Sequence, residues 1–161
     1  MSIAVREARR EDTARIFALI RSLAHFEKLS GEVVGSAEAL AEHLFGHRPF
    51  AEVLVAQGGD DLVGFALFFH SYSTFLTRPG LYLEDLYVEE AHRGRGVGRA
   101  LLARLAKIAL HRGCGRFEWS VLDWNEEAFA FYRTLGARPN EGWTLFRVTG
   151  EALTRLARES T

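Results

Sequence analysis

The stretch that most constrains this chain is residues 80–110, GLYLEDLYVEEAHRGRGVGRALLARLAKIAL, where a strand pattern passes through a glycine-rich turn into a helical pattern. Strict alternation over 80–90 puts Leu81, Leu83, Asp85, Tyr87 and Glu89 on one face and Tyr82, Glu84, Leu86 and Val88 on the other. From about 97 to 112 the period becomes helical, with Val97, Leu101, Leu105 and Ile108 as the apolar stripe. Between them Gly94, Gly96 and Gly98 stand among Arg93, Arg95 and Arg99. Glycines here permit φ > 0 and close backbone approach, freeing N–H groups to converge on phosphate oxygens. A helix start adds roughly half a positive charge and the arginines add full ones. A flexible loop with a solvated basic face is the plainer alternative. A dinucleotide fingerprint fails, because Arg99 occupies its last glycine position, and no G-K-[ST] exists for a phosphate-binding P-loop.

The remaining elements surround this unit. IAVREA (3–8) reads as a strand, residues 11–28 as a helix with Ile16, Leu19, Ile20, Leu23 and Phe26 at helical spacing, and 36–46 as a second helix between Ser36 and Gly46. Residues 51–57 and 62–73 are predicted strands joined by a tight turn, followed after the glycine unit by a strand over 116–122. A helix over 125–136 with Asn125 as N-cap, a strand over 143–148 and a short closing helix complete the chain. The order β-α-α-β-β-β-α-β-α-β predicts an α/β architecture, a mixed and largely antiparallel central sheet flanked by helices on both faces.

At 161 residues without repeats or linker-like tracts, one domain spanning 1–161 is expected. A net charge of −1 argues against a general nucleic-acid binder. Cys114 is alone, which excludes an internal disulfide framework and suggests a reducing compartment. The N-terminus has no apolar core of signal-peptide type, and no apolar run reaches the roughly 18 residues of a membrane span. A cytoplasmic location is the expectation. The six histidines show no H-x-x-x-H or Cys/His ligand spacing, so no metal is expected. Cys114, between glycines and with no His placed to activate it, reads as structural.

R-x-x-G-x-G, as Arg93, Gly96 and Gly98, resembles the acetyl-CoA pyrophosphate signature of the GNAT acyltransferase superfamily. LIRSLAHFEKL, VGFALFF, LYLEDLYV, RGRGVG, DWNEEAFAFYRTLGA and EGWTLFRV are similar, in order, to the spermidine/spermine (diamine) and thialysine N-acetyltransferase branch, over about residues 3–150. The resemblance implies acetyl-CoA as co-substrate, held by the loop Arg93, Gly94, Arg95, Gly96, Val97, Gly98 and Arg99. It further implies a pantetheine arm along main-chain groups near Leu86, Tyr87 and Val88, with Asn125 and its helix flanking the arm. A plain N-cap role for Asn125 is compatible with this.

Acetyl transfer to an amine requires a proton acceptor, because an alkylamine has a pKa of about 10. Glu84 and Asp85 are two acids in an otherwise apolar strand, costly unless paired or functional. The resemblance assigns amine activation to Glu84 and substrate contact to Asp85; pairing with an arginine is the alternative for both. It also assigns Tyr132, of the Phe131–Tyr132 pair, as the acid that protonates the departing thiolate, where periodicity alone suggests a core aromatic. Glu27 matches an acidic substrate-contact position, and Phe26 stands where the polyamine enzymes have a tyrosine.

The segment HSYSTFLTRPG departs from the polyamine enzymes, offering Ser73, Thr74, Phe75 and Arg78 where those carry an acid and a tryptophan. Fewer carboxylates favour a shorter or zwitterionic amine, such as a diamine or a lysine-like amino acid. Acetylation of a protein amine and a non-catalytic acyl-CoA-binding module remain as other readings. The resemblance implies a homodimer, acting on a small amine without nucleic-acid or membrane partners.

Overall fold

The computed structural model describes residues 2–161 and divides into two compact units, one ending at Leu122 and the other Asp123–Thr161. The first unit holds one sheet of five strands in the order β1 (Ile3–Glu7), β2 (Glu52–Gly58), β3 (Asp61–Ser73), β4 (Arg78–Val88) and β5 (Phe117–Trp119). The first four pair antiparallel and β5 joins β4 in parallel. The sheet is therefore mixed and largely antiparallel, as its sequence pattern predicts.

Helix α1 (Thr13–Phe26) begins at Asp12, which accepts from Arg9 N at 2.7 Å and from the two terminal guanidinium nitrogens of Arg6 at 2.8 and 3.0 Å. That pairing holds the Asp12 carboxyl below its usual range. Helix α2 (Ala37–Phe45) is capped by Ser36, whose Oγ accepts from Ala39 N at 3.1 Å. Ile16, Leu19, Leu23 and Leu44 of these helices pack on Val53, Val55 and Phe65 of the sheet. The alternate residues Leu54, Ala56, Phe68, Leu81 and Leu83 are buried on the opposite face. Helix α3 (Val97–His111) covers that face with Val97, Leu101 and Leu105 buried. Helices thus lie on both faces.

One irregularity revises the strand reading. Phe68 pairs with Leu83 and Leu67 with Asp85, leaving Glu84 with no partner on β3. Glu84 is the extra residue of a β-bulge, and the inserted residue resets the alternation. Asp85 and Tyr87 face α1, opposite Leu67 and Phe65, whereas Leu81 and Leu83 lie on the α3 side. The single face predicted for Leu81, Leu83, Asp85 and Tyr87 is therefore broken in two at Glu84. The β4–β5 ladder ends at Leu83, one residue before the bulge. The bend a bulge imposes explains why β5 spans Phe117–Trp119 instead of 116–122.

The second unit contains α4 (Glu126–Thr134), whose N-cap Asn125 accepts from Ala128 N at 3.2 Å, and α5 (Gly150–Ala157). The strand predicted over 143–148 does not form. Asp123–Thr161 holds no other strand to complete a ladder, and Trp143, Leu145 and Phe146 are 81, 82 and 90% exposed. No helix of the described residues is long and apolar enough to cross a membrane.

Candidate active site

Three pieces of the first unit meet where β4 ends. The first is β4 itself. Among the described residues no strand pairs with it beyond Leu83 on the β5 side, so residues 84–88 keep main-chain groups outside the ladder on that edge. Its far end is anchored: Arg15 of α1 donates to Glu89 at 2.7 Å and to Asp61 at 2.9 and 3.2 Å. Gly64 of β3 lies so close that an added Cβ would stand 2.8 Å from the Tyr87 carbonyl.

The second piece is the loop. After a 3-10 turn at Glu90–His92, Gly94 and Gly96 adopt φ values of 73° and 81°, the left-handed region that glycine alone enters without strain. No atom lies within 4 Å of a Cβ built on either, so the space above them is open. Gly96 is the N-cap of α3 and brings no side chain, which leaves the first N–H groups of the helix without a protein cap. Gly98 meets only ordinary contact, 3.9 Å from Val88 Cγ2. Arg95 and Arg99 are exposed and make no hydrogen bond or ion pair among the described residues. Arg93 differs: its Nε donates to the Val88 carbonyl at 2.8 Å, and its guanidinium lies over the rings of Phe26 and Tyr87.

The third piece is acidic. Glu27 ends α1, Glu84 is the bulged residue, and Asp85 faces α1 from the sheet. None of the three forms an ion pair or hydrogen bond through its side chain among the described residues, so pairing with an arginine does not account for them. Removal from water, then the charge of Glu84 and that of Glu27, pushes the Asp85 carboxyl up to about 6. Loss of water contact also raises Glu27. Three unpaired carboxyls sharing one region are an electrostatic cost that a bound cation relieves.

A family model described as "Acetyltransferase (GNAT) family" matches residues 17–137. The chain belongs to the GNAT acetyltransferase family. GNAT enzymes transfer an acetyl group from acetyl-CoA to an amine, and the unpaired donors at the start of α3, with Arg95 and Arg99, fit the anionic part of that co-substrate. The GNAT chain is 44% identical over 167 residues to a pig (Sus scrofa) thialysine N-epsilon-acetyltransferase, covering 97% of this chain and 98% of that one. It is 34% identical to the L-ornithine N5-acetyltransferase of Arabidopsis thaliana, over 92% of this chain and 85% of that one. Among solved structures, an integron cassette protein from the mobile metagenome of V. cholerae superposes with a TM-score of 0.81 at 26% identity, covering 98% and 99% of the two chains.

The structure brings Phe26, Glu27, Glu84, Asp85, Tyr87 and the loop together within the first unit. Asn125 and Tyr132 lie in the second unit, the first as the N-cap of α4 and the second within that helix. Asn125 spends its Oδ1 on the helix cap, and Tyr132 is half-buried with its ring 5.6 Å from that of Phe131. Two features escape the sequence reading, the bulge and the stacking of Arg93. Adjacent acids interrupting an apolar strand are the one sequence signal of the former.

Proposed function

We propose that this GNAT enzyme acetylates the side-chain amine of a lysine-like amino acid, of the thialysine and ornithine class. The observation that carries the reading is the set of unpaired carboxyls Glu27, Glu84 and Asp85 beside an open, uncapped glycine loop. Relatives acting on thialysine and on ornithine support the substrate class. So does the β3–β4 turn: Ser73 is 5% exposed and accepts from Leu76 N at 3.2 Å, serving the turn where an additional acid would favour a longer polyamine.

In this reading Gly94, Gly96, Val97 and Gly98 give main-chain N–H groups to the pyrophosphate, and Arg95 and Arg99 give charge. Leu86, Tyr87 and Val88 offer main-chain groups on the open edge to the pantetheine arm, and one amide polarises the thioester carbonyl. Asp85, Glu27 and Phe26 receive the substrate ammonium. Glu84 takes its proton, directly or through water, and the freed nitrogen attacks the thioester carbon in a ternary complex. As the C–S bond breaks, Tyr132 returns a proton to the sulfur. Resemblance of the Phe131–Tyr132 pair supports Tyr132 in that role, and of the Asn125 motif supports contact with the arm. A single transferase domain over 1–161 and a homodimer, resting on family resemblance, and a cytoplasmic location, resting on the lone Cys114, complete the proposal.

The test is a panel of thialysine, lysine, ornithine, putrescine and spermidine with acetyl-CoA, following free thiol release. The amino acids are expected to exceed spermidine in kcat/KM by about tenfold or more, the scale that one mismatched polar contact supplies. A clear preference for spermidine rejects the substrate class, and sedimentation of a monomer rejects the dimer.

A further inference from the structure

Arg93 opens the R-x-x-G-x-G signature, and a phosphate contact is what that signature implies for it. The structure commits its side chain elsewhere. Nε donates to Val88 O at 2.8 Å, and the guanidinium carbon lies 4.8 Å from the Phe26 ring centroid and 5.4 Å from that of Tyr87. Planar guanidinium over aromatic faces is a favourable and directional contact. The two rings belong to the two elements that carry the acids. Phe26 immediately precedes Glu27 at the end of α1, and Tyr87 lies two residues beyond Asp85 on the same sheet face. Arg95 and Arg99, in contrast, have no partner among the described residues.

We propose that Arg93 is a positioning residue that couples the glycine loop to the acid-bearing wall through the Phe26–Tyr87 clamp, while Arg95 and Arg99 supply the charge opposite phosphate. The inference rests on the reading of the loop as the acetyl-CoA site and of the acids as the amine site. The geometry transmits in both directions. Ordering the loop on a ligand fixes Arg93, Arg93 fixes the end of α1 against β4, and Glu27 is thereby held toward Asp85. Reciprocity then requires the amine and CoA to strengthen each other's binding. Lysine keeps the charge but loses both the Nε donor and the planar stack, so it does not substitute.

The experiment compares Arg93→Lys, Arg93→Met, Arg95→Gln and Tyr87→Leu in the full chain, with CoA titrated by calorimetry and thialysine KM and kcat measured at saturating acetyl-CoA. Arg93→Lys and Arg93→Met are expected to raise thialysine KM alike, by about five- to tenfold, and to abolish the mutual strengthening of CoA and thialysine binding. CoA affinity alone should stay within about twofold of the parent, whereas Arg95→Gln weakens it by about three- to tenfold and flattens its salt dependence. Tyr87→Leu, which keeps the main-chain groups and removes the second ring of the clamp, should reproduce Arg93→Met, and the double variant should be no worse than either. Should Arg93→Met fail to fold, Tyr87→Leu and the lysine variant carry the comparison. Parent-like behaviour of Arg93→Lys with weakened CoA binding in Arg93→Met makes Arg93 a phosphate contact and overturns the proposal, as does a parent-like Arg93→Met. If the parent acetylates none of the amines, the proposed substrate falls by itself, while the CoA titrations still decide how the three arginines divide their work.

Discussion

Asp85 and Glu84 are adjacent in the chain yet stand in different environments, and that difference yields two predictions. The Asp85 carboxyl is moved from 3.8 to about 6, so the folded protein binds more protons than the unfolded chain between those values. Its burial therefore costs stability above pH 6, and the cost is relieved as pH falls toward 4. Asp85→Asn should raise the melting temperature at pH 7.5, with an upper limit of about 3 kcal/mol, and leave it unchanged near pH 4. Melts at the two pH values check this, and lower stability at pH 7.5 would remove the desolvation account. Glu84 stands exposed at the bulge. Glu84→Gln should lower kcat/KM by about 100-fold at pH 7 and by much less near pH 10, where the free amine is abundant. If Asp85→Asn erases the pH dependence and Glu84→Gln does not, the proton goes to Asp85. Both acids were legible as costly residues in an apolar strand. Which face each takes was not, because the alternation rule has no term for a residue without a partner.

At the scale of elements, the local signals are reliable where a single side chain or period carries them. Ser36 and Asn125 cap the helices they precede, and the stripe of Val97, Leu101 and Leu105 is buried as its spacing predicts. Segments that depend on a distant ladder fare worse: β5 is shorter than its pattern, and 143–148 is not a strand. The alternating glycines are also not equivalent. Gly96 sits at φ 81° in open space, so Gly96→Ala meets no clash but strains the backbone by about 1–2 kcal/mol. Acetyl-CoA KM should rise several-fold with thialysine KM little changed; parent-like kinetics would separate the left-handed turn from ligand binding. Gly64→Ala, by contrast, drives a methyl to 2.8 Å from Tyr87 O and should cost about 1–3 kcal/mol in a chemical denaturation series. An unshifted midpoint would mean that β3 and β4 can part there freely.

For the molecule as a whole, architecture was the most legible level, since the order of strand and helix patterns fixes a mixed sheet with helices on both faces before any contact is known. What stayed hidden is how little separates the β3–β4 ladder from an uninterrupted one. Remove Glu84, and Leu83 and Asp85 become neighbours in a regular ladder, each still on the face it now occupies. The packed layers need nothing else to change, and β4 would straighten toward β5 past Leu83, where the two now part. A chain one residue shorter should therefore melt higher and bind CoA poorly, which thermal scans and calorimetry on the deletion variant would establish. A deletion that melts lower would mean the bend itself is stabilising. Should the deletion melt higher and bind CoA poorly, a single codon would be retained at a cost in stability, and the opening it makes between β4 and β5 would be what offsets the cost.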